Sequence, residues 1–277
     1  MMDRRTLLAA AAALAAAPAL ARTATKRGKP VGLQLYTLRT LFQADPVKTL
    51  EQVAKVGYTE IEYGGGGYDG MDHALLRRTT DRVGLKAPSA HIPYDALANR
   101  FDQSVKMART LGADTVVLPY IDQSLRNEEG WRQVIATMNR VAKQLRAEGF
   151  TFAYHNHDFE FTTPVPGANL YERLIHDTDP TLVKFEIDLY WAVKAGQDPK
   201  ALIRRLAGRV HAYHVKDMKP DGSMTSVGSG KIDFADIFTL NGIAGVKHFF
   251  VENDECPAPY IPDITTSFTH LSRLLGR

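Results

Sequence analysis

Cysteine is almost absent from this chain of 277 residues, and so is any imbalance of charge. Cys256 is the single cysteine, so no disulfide can form within the chain and a hydrophobic core must supply its stability. The 34 Lys and Arg residues exceed the 31 Asp and Glu residues by only three, and the basic residues are scattered along the chain. Proteins that bind nucleic acid usually concentrate basic residues on one face, so we predict no nucleic-acid partner.

Long apolar runs are also lacking. The alanine-rich segment from Leu7 to Ala17 is shorter than the about 20 apolar residues that a membrane-spanning helix needs. It follows the pair Arg4-Arg5 and precedes an Ala-x-Ala cleavage site at residues 19–21, as in a twin-arginine (Tat) export signal. We therefore predict a signal peptide over residues 1–21, a linker over residues 22–30, a periplasmic location and no membrane span after removal of the leader. An ordinary Sec leader or an uncleaved anchor is the alternative.

Residues 31–277 alternate regularly between strand-like and helix-like segments, with glycines where helices should end. The predicted strands are Val31–Tyr36, Thr59–Tyr63, Leu85–His91, Asp114–Leu118, Phe150–His155, Val183–Asp188, Val210–His214 and Val246–Glu252. Eight such strands, each followed by a helical crossover within about 250 residues, predict an α/β fold, a single-domain (β/α)8 TIM barrel. An open doubly wound sheet is the alternative.

Three of these strands end in residues that bind divalent metals, namely Asp188, His214 and Glu252. Because neighbouring parallel strands end on the same face, the three side chains should converge at the C-terminal end of the barrel. Two carboxylates and one imidazole suit Mn²⁺, Mg²⁺, Co²⁺ or Zn²⁺. The pattern therefore favours an enzyme with one divalent metal ion as its cofactor.

Each of these residues also has a purely structural interpretation. Asp188 is well placed to cap the helix that follows it, His214 to bond a carbonyl in the core, and Glu252 to pair with a neighbouring Lys or Arg. On the strand that ends at Asp188, residues of one parity should face the barrel interior. We therefore expect Lys184 and Glu186 to form an internal ion pair or to join a larger ion network.

Six short motifs occur in order between Val31 and Leu274: GLQLYTLR from Gly32, YHNHDFEF from Tyr154, DLYW from Asp188, HVKD from His214, GSGKIDF from Gly228 and VEN from Val251. With these motifs the chain resembles the xylose-isomerase-like barrel superfamily, which includes sugar phosphate isomerases and epimerases. The resemblance implies a small-molecule sugar substrate. It leaves open whether the chain forms a homo-oligomer.

The resemblance also implies a metal site with a Glu after strand five, an Asp after strand six, a His after strand seven and a Glu after strand eight. The last three match Asp188, His214 and Glu252. At strand five this chain has His155 where the family has Glu, with Glu160 as the alternative ligand. The expected metal ligands are therefore His155, Asp188, His214 and Glu252.

On this basis we expect a sugar isomerase or epimerase that removes a proton from a keto-sugar through a metal-stabilised enediolate. The expected base is Glu252 or His155, with His91 or Lys216 as its partner. A keto-sugar or 3-keto-glycoside lyase or dehydratase with the same metal site is the first alternative, since His155 replaces one of two family carboxylates. A periplasmic barrel that binds sugar without catalysis is the alternative from another class.

Four further residues are expected to contact the substrate: Gln34, Glu62, His157 and Trp191. Trp191 has a core position as its alternative, and Lys216 has pairing with Asp217 in a solvated loop. The glycines at positions 64–67 predict a loop and no phosphate cradle, because no Lys-Ser or Lys-Thr pair follows them.

Overall fold

A computed structural model describes residues 28–277, so the predicted signal peptide and most of the predicted linker lie outside the described residues. Eight parallel strands close into a barrel and confirm the predicted architecture. The strands are β1 (Gly32–Gln34), β2 (Glu60–Tyr63), β3 (Lys86–His91), β4 (Thr115–Leu118), β5 (Thr151–His155), β6 (Val183–Asp188), β7 (Val210–Val215) and β8 (His248–Val251). Each strand pairs with its neighbours in sequence, and β1 pairs with β8 to close the barrel.

Helices cover the outside of the barrel. The α-helices span Arg39–Ala44, Pro46–Val56, His73–Val83, Tyr94–Asn99, Phe101–Leu111, Glu128–Ala147, Phe159–Thr162, Leu170–Asp177, Leu189–Lys194, Pro199–Arg205, Phe234–Phe238, Asn241–Ala244 and Ile261–Leu274. Short 3-10 turns span Leu35–Leu38, Tyr68–Gly70 and Gln123–Leu125. Two-residue antiparallel ladders join Pro164–Val165 to Ala168–Asn169 and Asp217–Met218 to Met224–Thr225.

Local sequence signals fix where these helices begin and end. The Asp45 side chain accepts a hydrogen bond from the Lys48 amide at 2.9 Å, and Pro46 occupies the first helical position of Pro46–Val56. The helix ends at Gly57, whose φ of 120° disfavours other residues, and a Cβ there would also meet the Phe268 ring. Within residues 28–277, no helix is both long and apolar enough to cross a membrane.

Side-chain parity on β6 separates the core from the barrel interior. Phe185 and Ile187 pack in the hydrophobic layer beneath the helices, whereas Glu186 and Asp188 are fully buried inside the barrel. The predicted internal ion network includes Glu186, but the prediction is wrong for Lys184. Lys184 lies closer to the N-terminal end of the strand, where its ammonium group reaches outward to the Gly208 carbonyl oxygen at 3.3 Å. Histidines take its place beside Glu186.

The register of the barrel aligns the polar residues at its C-terminal end. Asp188 on β6 lies opposite His214 on β7. On the other side of the barrel, Gln34 lies opposite Glu62, which lies opposite Ser89. Residues that are far apart in the sequence therefore form one polar layer inside the mouth of the barrel.

Candidate active site and metal centre

Four side chains meet at the C-terminal end of the barrel: His155, Asp188, His214 and Glu252. Each offers one nitrogen or oxygen atom, and these atoms all lie within 4.8 Å of one another. None of the four side chains is more than slightly exposed. The structure therefore brings together the four residues that the sequence singled out as metal ligands.

Asp188 combines the two interpretations that its sequence position allowed. One carboxylate oxygen, Oδ1, accepts a hydrogen bond from the Trp191 amide at 2.9 Å and caps the helix Leu189–Lys194. The other oxygen, Oδ2, lies 3.0 Å from the Lys216 Nζ atom, but it accepts no well-directed hydrogen bond from any described residue. The cap fixes the side chain and leaves Oδ2 facing the cluster.

His214 is held between carboxylates at both ring nitrogens. Its Nδ1 atom lies 2.6 Å from Glu252 Oε2, while its Nε2 atom lies 2.7 Å from Glu62 Oε2 and 2.9 Å from Glu186 Oε1. Burial alone would lower the pKa of His214, but the carboxylates of Glu186 and Glu252 raise it well above the usual value. These contacts fix the ring orientation, as carboxylates behind ligand histidines commonly do, and a bound metal would displace the proton from the ligating nitrogen.

His91 bridges Glu62 and Glu186, the two carboxylates that also face the Nε2 atom of His214. Its Nε2 atom lies 2.9 Å from Glu62 Oε2 and 2.8 Å from Glu186 Oε1, and its ring stacks on His214 with 5.3 Å between centroids. Burial opposes the charged form, but the Glu62 and Glu186 carboxylates raise the pKa of His91 to about 9. His91 is therefore a proton donor at neutral pH, and it lines the cavity.

His155 has the opposite electrostatic character. Burial, together with the nearby positive charge of His214, holds the pKa of His155 well below its usual value. Its Nε2 atom lies 3.9 Å from Asp188 Oδ2. A neutral imidazole keeps one lone pair free at neutral pH, which is the form that binds metals.

Lys216 is a buried member of this cluster, and its predicted alternative as a solvated loop residue is wrong. Its ammonium group lies 2.8 Å from Glu252 Oε2 and 3.0 Å from Oδ2 of both Asp188 and Asp254. Burial would lower the pKa of Lys216, but these carboxylates hold it well above the usual value. Burial alone would raise the pKa of Glu252. The positive charges of Lys216 and His214 instead hold this pKa well below its usual range.

Glu160 lies outside the cluster. Its carboxyl group accepts hydrogen bonds from the Tyr154 hydroxyl at 2.7 Å and from the His157 amide at 2.8 Å. Burial raises the pKa of Glu160 to about 8. These bonds shape the turn after β5. Among the described residues, the group that could hold a metal ion includes His155 and does not include Glu160.

A cavity of about 510 Å³ opens directly above the cluster. His91, His155, His157, Lys216 and Glu252 line it. The pKa of His157 is lowered by burial to about 3, so this ring is neutral.

The other three residues predicted to contact substrate lie behind the cavity wall. Gln34 and Glu62 are fully buried, and Gln34 Nε2 donates a hydrogen bond to Glu62 Oε2 at 2.7 Å. Trp191 packs on the His157 ring with 5.6 Å between centroids. These positions support the cavity wall, and direct contact with substrate stays a prediction.

Sequence reasoning missed several residues of the site. Glu186 was expected inside the barrel but not next to the metal ligands, and Asp254 was not expected in the site. Each lies two residues from a predicted ligand, Asp188 or Glu252, so the period of two was the available signal. Tyr36 and Tyr120 line the cavity mouth, but no residue pattern marked either of them as a cavity residue, although Tyr36 lies in the GLQLYTLR motif. Only the closed barrel shows that they face one cavity.

The cluster suits a divalent cation by its donors and by its charge. Two carboxylates and two imidazoles form a donor set that Mn²⁺, Co²⁺ and Zn²⁺ accept. Asp188 Oδ2 is buried without a hydrogen bond from the described residues, and His155 is neutral. Glu62, Glu186 and Asp254 add buried or half-buried carboxyl groups next to the ligands. Together with Asp188 and Glu252 these carboxylates outnumber the cations His91, His214 and Lys216 that pair with them, and uncompensated buried negative charge is costly.

Known proteins with similar sequences include members of one barrel family and a dehydratase. The sequence model of the xylose isomerase-like TIM barrel family matches residues 50–244. An inosose dehydratase from Clostridium beijerinckii is 24% identical over 232 residues, which cover 70% of this chain and 76% of that protein.

Solved structures show the same architecture. A crystal structure of a sugar phosphate isomerase/epimerase from Parabacteroides distasonis matches with a TM-score of 0.78 and 25% identity, covering 91% of this chain and 97% of that one. A D-psicose 3-epimerase crystallised with D-fructose matches with a TM-score of 0.68 over 90% of this chain and 100% of that one. Its identity of 14% shows a shared fold alone.

Proposed function

The chain belongs to the xylose isomerase-like TIM barrel family, and from that premise we propose that it is a metal-dependent enzyme acting on a keto-sugar. It would remove a proton from the carbon next to the carbonyl group and return a proton to the resulting enediolate, which gives isomerisation or epimerisation. The observation that carries the proposal is the convergence of His155, Asp188, His214 and Glu252 beneath a cavity that also contains a buried ammonium group.

The four converging residues would hold one divalent ion, Mn²⁺, Mg²⁺, Co²⁺ or Zn²⁺. When bound, such an ion supplies Lewis acidity, which lowers the pKa of the carbon-bound proton beside a chelated carbonyl. The remaining chemistry falls to the side chains of this chain.

Glu252 is the base. Its pKa lies well below the usual range, so it is ionised at neutral pH, and it lines the cavity. Lys216 and His91 also line the cavity and are protonated at neutral pH. A charged donor beside the developing oxyanion stabilises it, and the same donor returns a proton. The site thus presents one base and two acids to the same bound molecule.

Dehydration or elimination is the second candidate, and the asymmetry of the site favours it. A symmetric epimerisation uses two bases on opposite faces of one carbon. Here the strand-five position holds a neutral His155 in place of a carboxylate, while Lys216 and His91 are acids. One base with an acid suits removal of a proton on one side and loss of a protonated leaving group on the other. The similarity to an inosose dehydratase supports the same alternative.

Hydrogen exchange in D₂O tests the shared first step. Purified protein loaded with Mn²⁺ should replace the hydrogen beside the carbonyl of its keto-sugar with deuterium, and EDTA should stop the exchange. Asp188→Asn should lose both metal and exchange, whereas Asp198→Asn, an exposed helix cap elsewhere, should keep both. Binding of sugar without any exchange would favour a non-catalytic sugar-binding barrel and overturn the proposal.

We also propose that the chain is exported to the periplasm in folded form. The support is the sequence of residues 1–21 alone, with its twin arginine and cleavage site. Export in the folded state would allow a metal to be loaded before translocation.

A further inference from the structure

We propose that the substrate of this site is an uncharged sugar of two rings. Its reacting ring would lie over Glu252 and His155, and its second ring would lie at the cavity mouth, which Tyr36 and Tyr120 line. This inference rests on the proposed function, because it names the substrate class for the same site.

The cavity is larger than one sugar ring requires. Even if each non-hydrogen atom took the volume of a water molecule, about 30 Å³, a hexose of twelve such atoms would need about 360 Å³. The cavity measures about 510 Å³ and opens outward from the cluster. Space for part of a second ring therefore remains towards the mouth.

Tyr36 offers a fixed aromatic surface at this mouth. It is 39% exposed, although it has close neighbours. Gly65 packs so closely on the Tyr36 ring that a Cβ at that position would overlap it. The Arg39 guanidinium lies 4.4 Å from the ring centroid and donates hydrogen bonds to the Tyr36 and Asp254 carbonyl oxygens, both at 3.0 Å.

Tyr120 presents a second aromatic surface three strands away around the barrel. It is 49% exposed and packs edge-on against His157 and Phe159, with 5.4 Å and 5.7 Å between centroids. The Arg126 guanidinium lies 4.6 Å from its centroid. Exposed, well-supported rings pack favourably on the C–H faces of a sugar, and such contacts lose little side-chain entropy on binding.

The charges in the cavity disfavour a phosphorylated sugar. Among the described residues that line it, Lys216 is the one lysine or arginine. Its ammonium group already faces the carboxylates of Asp188, Glu252 and Asp254. Asp69 adds another acidic group to the lining. Beyond the metal site, a phosphate dianion would meet Asp69, whereas the lining cations His91 and Lys216 are already paired with carboxylates.

The backbone amides that would bind a phosphate are occupied. In barrels of this type, phosphate commonly binds at the loops after strands seven and eight. Here Asp217 follows β7, and its Oδ2 atom accepts hydrogen bonds from the amides of Gly228 and Gly230, both at 2.9 Å. Its Oδ1 atom accepts from the Met218 amide at 2.8 Å and the Ile232 amide at 3.2 Å. The Asp217 carboxylate thus takes the place that an anionic ligand would need.

Three keto-sugars test this inference with the full metal-loaded protein: 3-keto-glucose, 3-keto-cellobiose and 3-keto-glucose 6-phosphate. Exchange or turnover is followed in D₂O by NMR. We expect kcat/KM to be at least tenfold higher for the two-ring sugar than for either one-ring sugar. Tyr36→Ala and Tyr120→Ala should each reduce kcat/KM for the two-ring sugar about five- to tenfold, mainly through KM, and should change the one-ring value less than twofold.

Tyr36→Phe and Tyr120→Phe keep the rings and should retain the two-ring preference, as should Ile243→Ala at an exposed position away from the cavity. Equal kcat/KM for one and two rings, a preference for the phosphate, or unchanged kinetics in both alanine variants would overturn the inference while the proposed function stands.

If no keto-sugar reacts, the proposed function fails, and calorimetry with cellobiose and glucose then tests the two-ring subsite by itself. Tighter binding of cellobiose that is lost in the alanine variants supports the two-ring subsite, and equal binding overturns it.

Discussion

The Oε2 atom of Glu62 lies 2.7 Å from the Nε2 atom of His214, although 152 residues separate them in the sequence. Glu186 Oε1 lies 2.9 Å from the same nitrogen. The two carboxylates therefore orient the His214 ring so that Nδ1 faces Glu252, at the centre of the proposed metal site. Their contribution to metal binding is open to a direct test.

Glu62→Gln and Glu186→Gln should each weaken Mn²⁺ binding about 10- to 100-fold, because carboxylates behind a ligand histidine orient the ring and raise its basicity. Titration calorimetry on the metal-free protein measures this. Glu60→Gln is the matched control, since Glu60 lies on the same strand but pairs with His248 at 2.9 Å. Unchanged affinity in both variants would show that the contacts are purely structural.

Removal of metal should lower the thermal stability of the protein. A ligand that binds only the folded state stabilises it by about 2.7 kcal/mol at a concentration 100 times its Kd. Differential scanning calorimetry should therefore show a lower Tm after treatment with EDTA and recovery after addition of Mn²⁺. Asp188→Asn should be insensitive to both treatments, and an equal response in this variant would argue against Asp188 as a ligand.

Lys216→Met should separate metal binding from turnover. Loss of a positive charge beside Asp188 and Glu252 should leave metal binding unchanged or tighter, whereas loss of a positioned acid should lower kcat by about 10²- to 10⁴-fold. Lys184→Met should change neither quantity, because among residues 28–277 the Lys184 ammonium group bonds to the Gly208 carbonyl and to no carboxylate. A parallel loss of metal and turnover in Lys216→Met would assign Lys216 a structural role.

The buried carboxyl group of Glu160 should make stability depend on pH. Burial raises its pKa to about 8 in the folded state, and the unfolded value is about 4.3. The folded state therefore binds the proton more tightly, so the contribution of this group is most favourable below pH 4.3 and is lost as the pH rises towards 8.

Glu160→Gln imitates the protonated form and should remove this dependence. At pH 9 the variant should have a free energy of unfolding about 1–3 kcal/mol higher than the wild type, and at pH 5 no higher than the wild type. Urea unfolding at several pH values measures the difference. Parallel pH profiles for wild type and variant would contradict a raised pKa at this position.

Replacement of Arg4-Arg5 by Lys-Lys should abolish export if the leader is a Tat signal. Cell fractionation with detection of the mature chain measures the outcome. Export that continues unchanged would favour a Sec leader instead.

Much of the site was predictable because strand periodicity and strand ends are local properties. The alternation on β6 placed Glu186 and Asp188 inside the barrel, and the apolar runs that end in His214 and Glu252 predicted their convergence. Lys184 has the same parity as Glu186, yet it reaches out of the barrel, because its height along the strand decides whether a long side chain can leave the interior. Parity in the sequence does not fix that height relative to the barrel ends.

Short-range periodicity and residue type are enough to predict the eight alternating units, the residues at the strand ends and the chemistry that those residues offer. Which groups share protons and charge depends on the folded barrel. Barrel closure places Glu62 against His214 and Lys216 against Asp188, and a buried group takes its pKa from such neighbours. The same closure makes Tyr36 and Tyr120 walls of a single cavity.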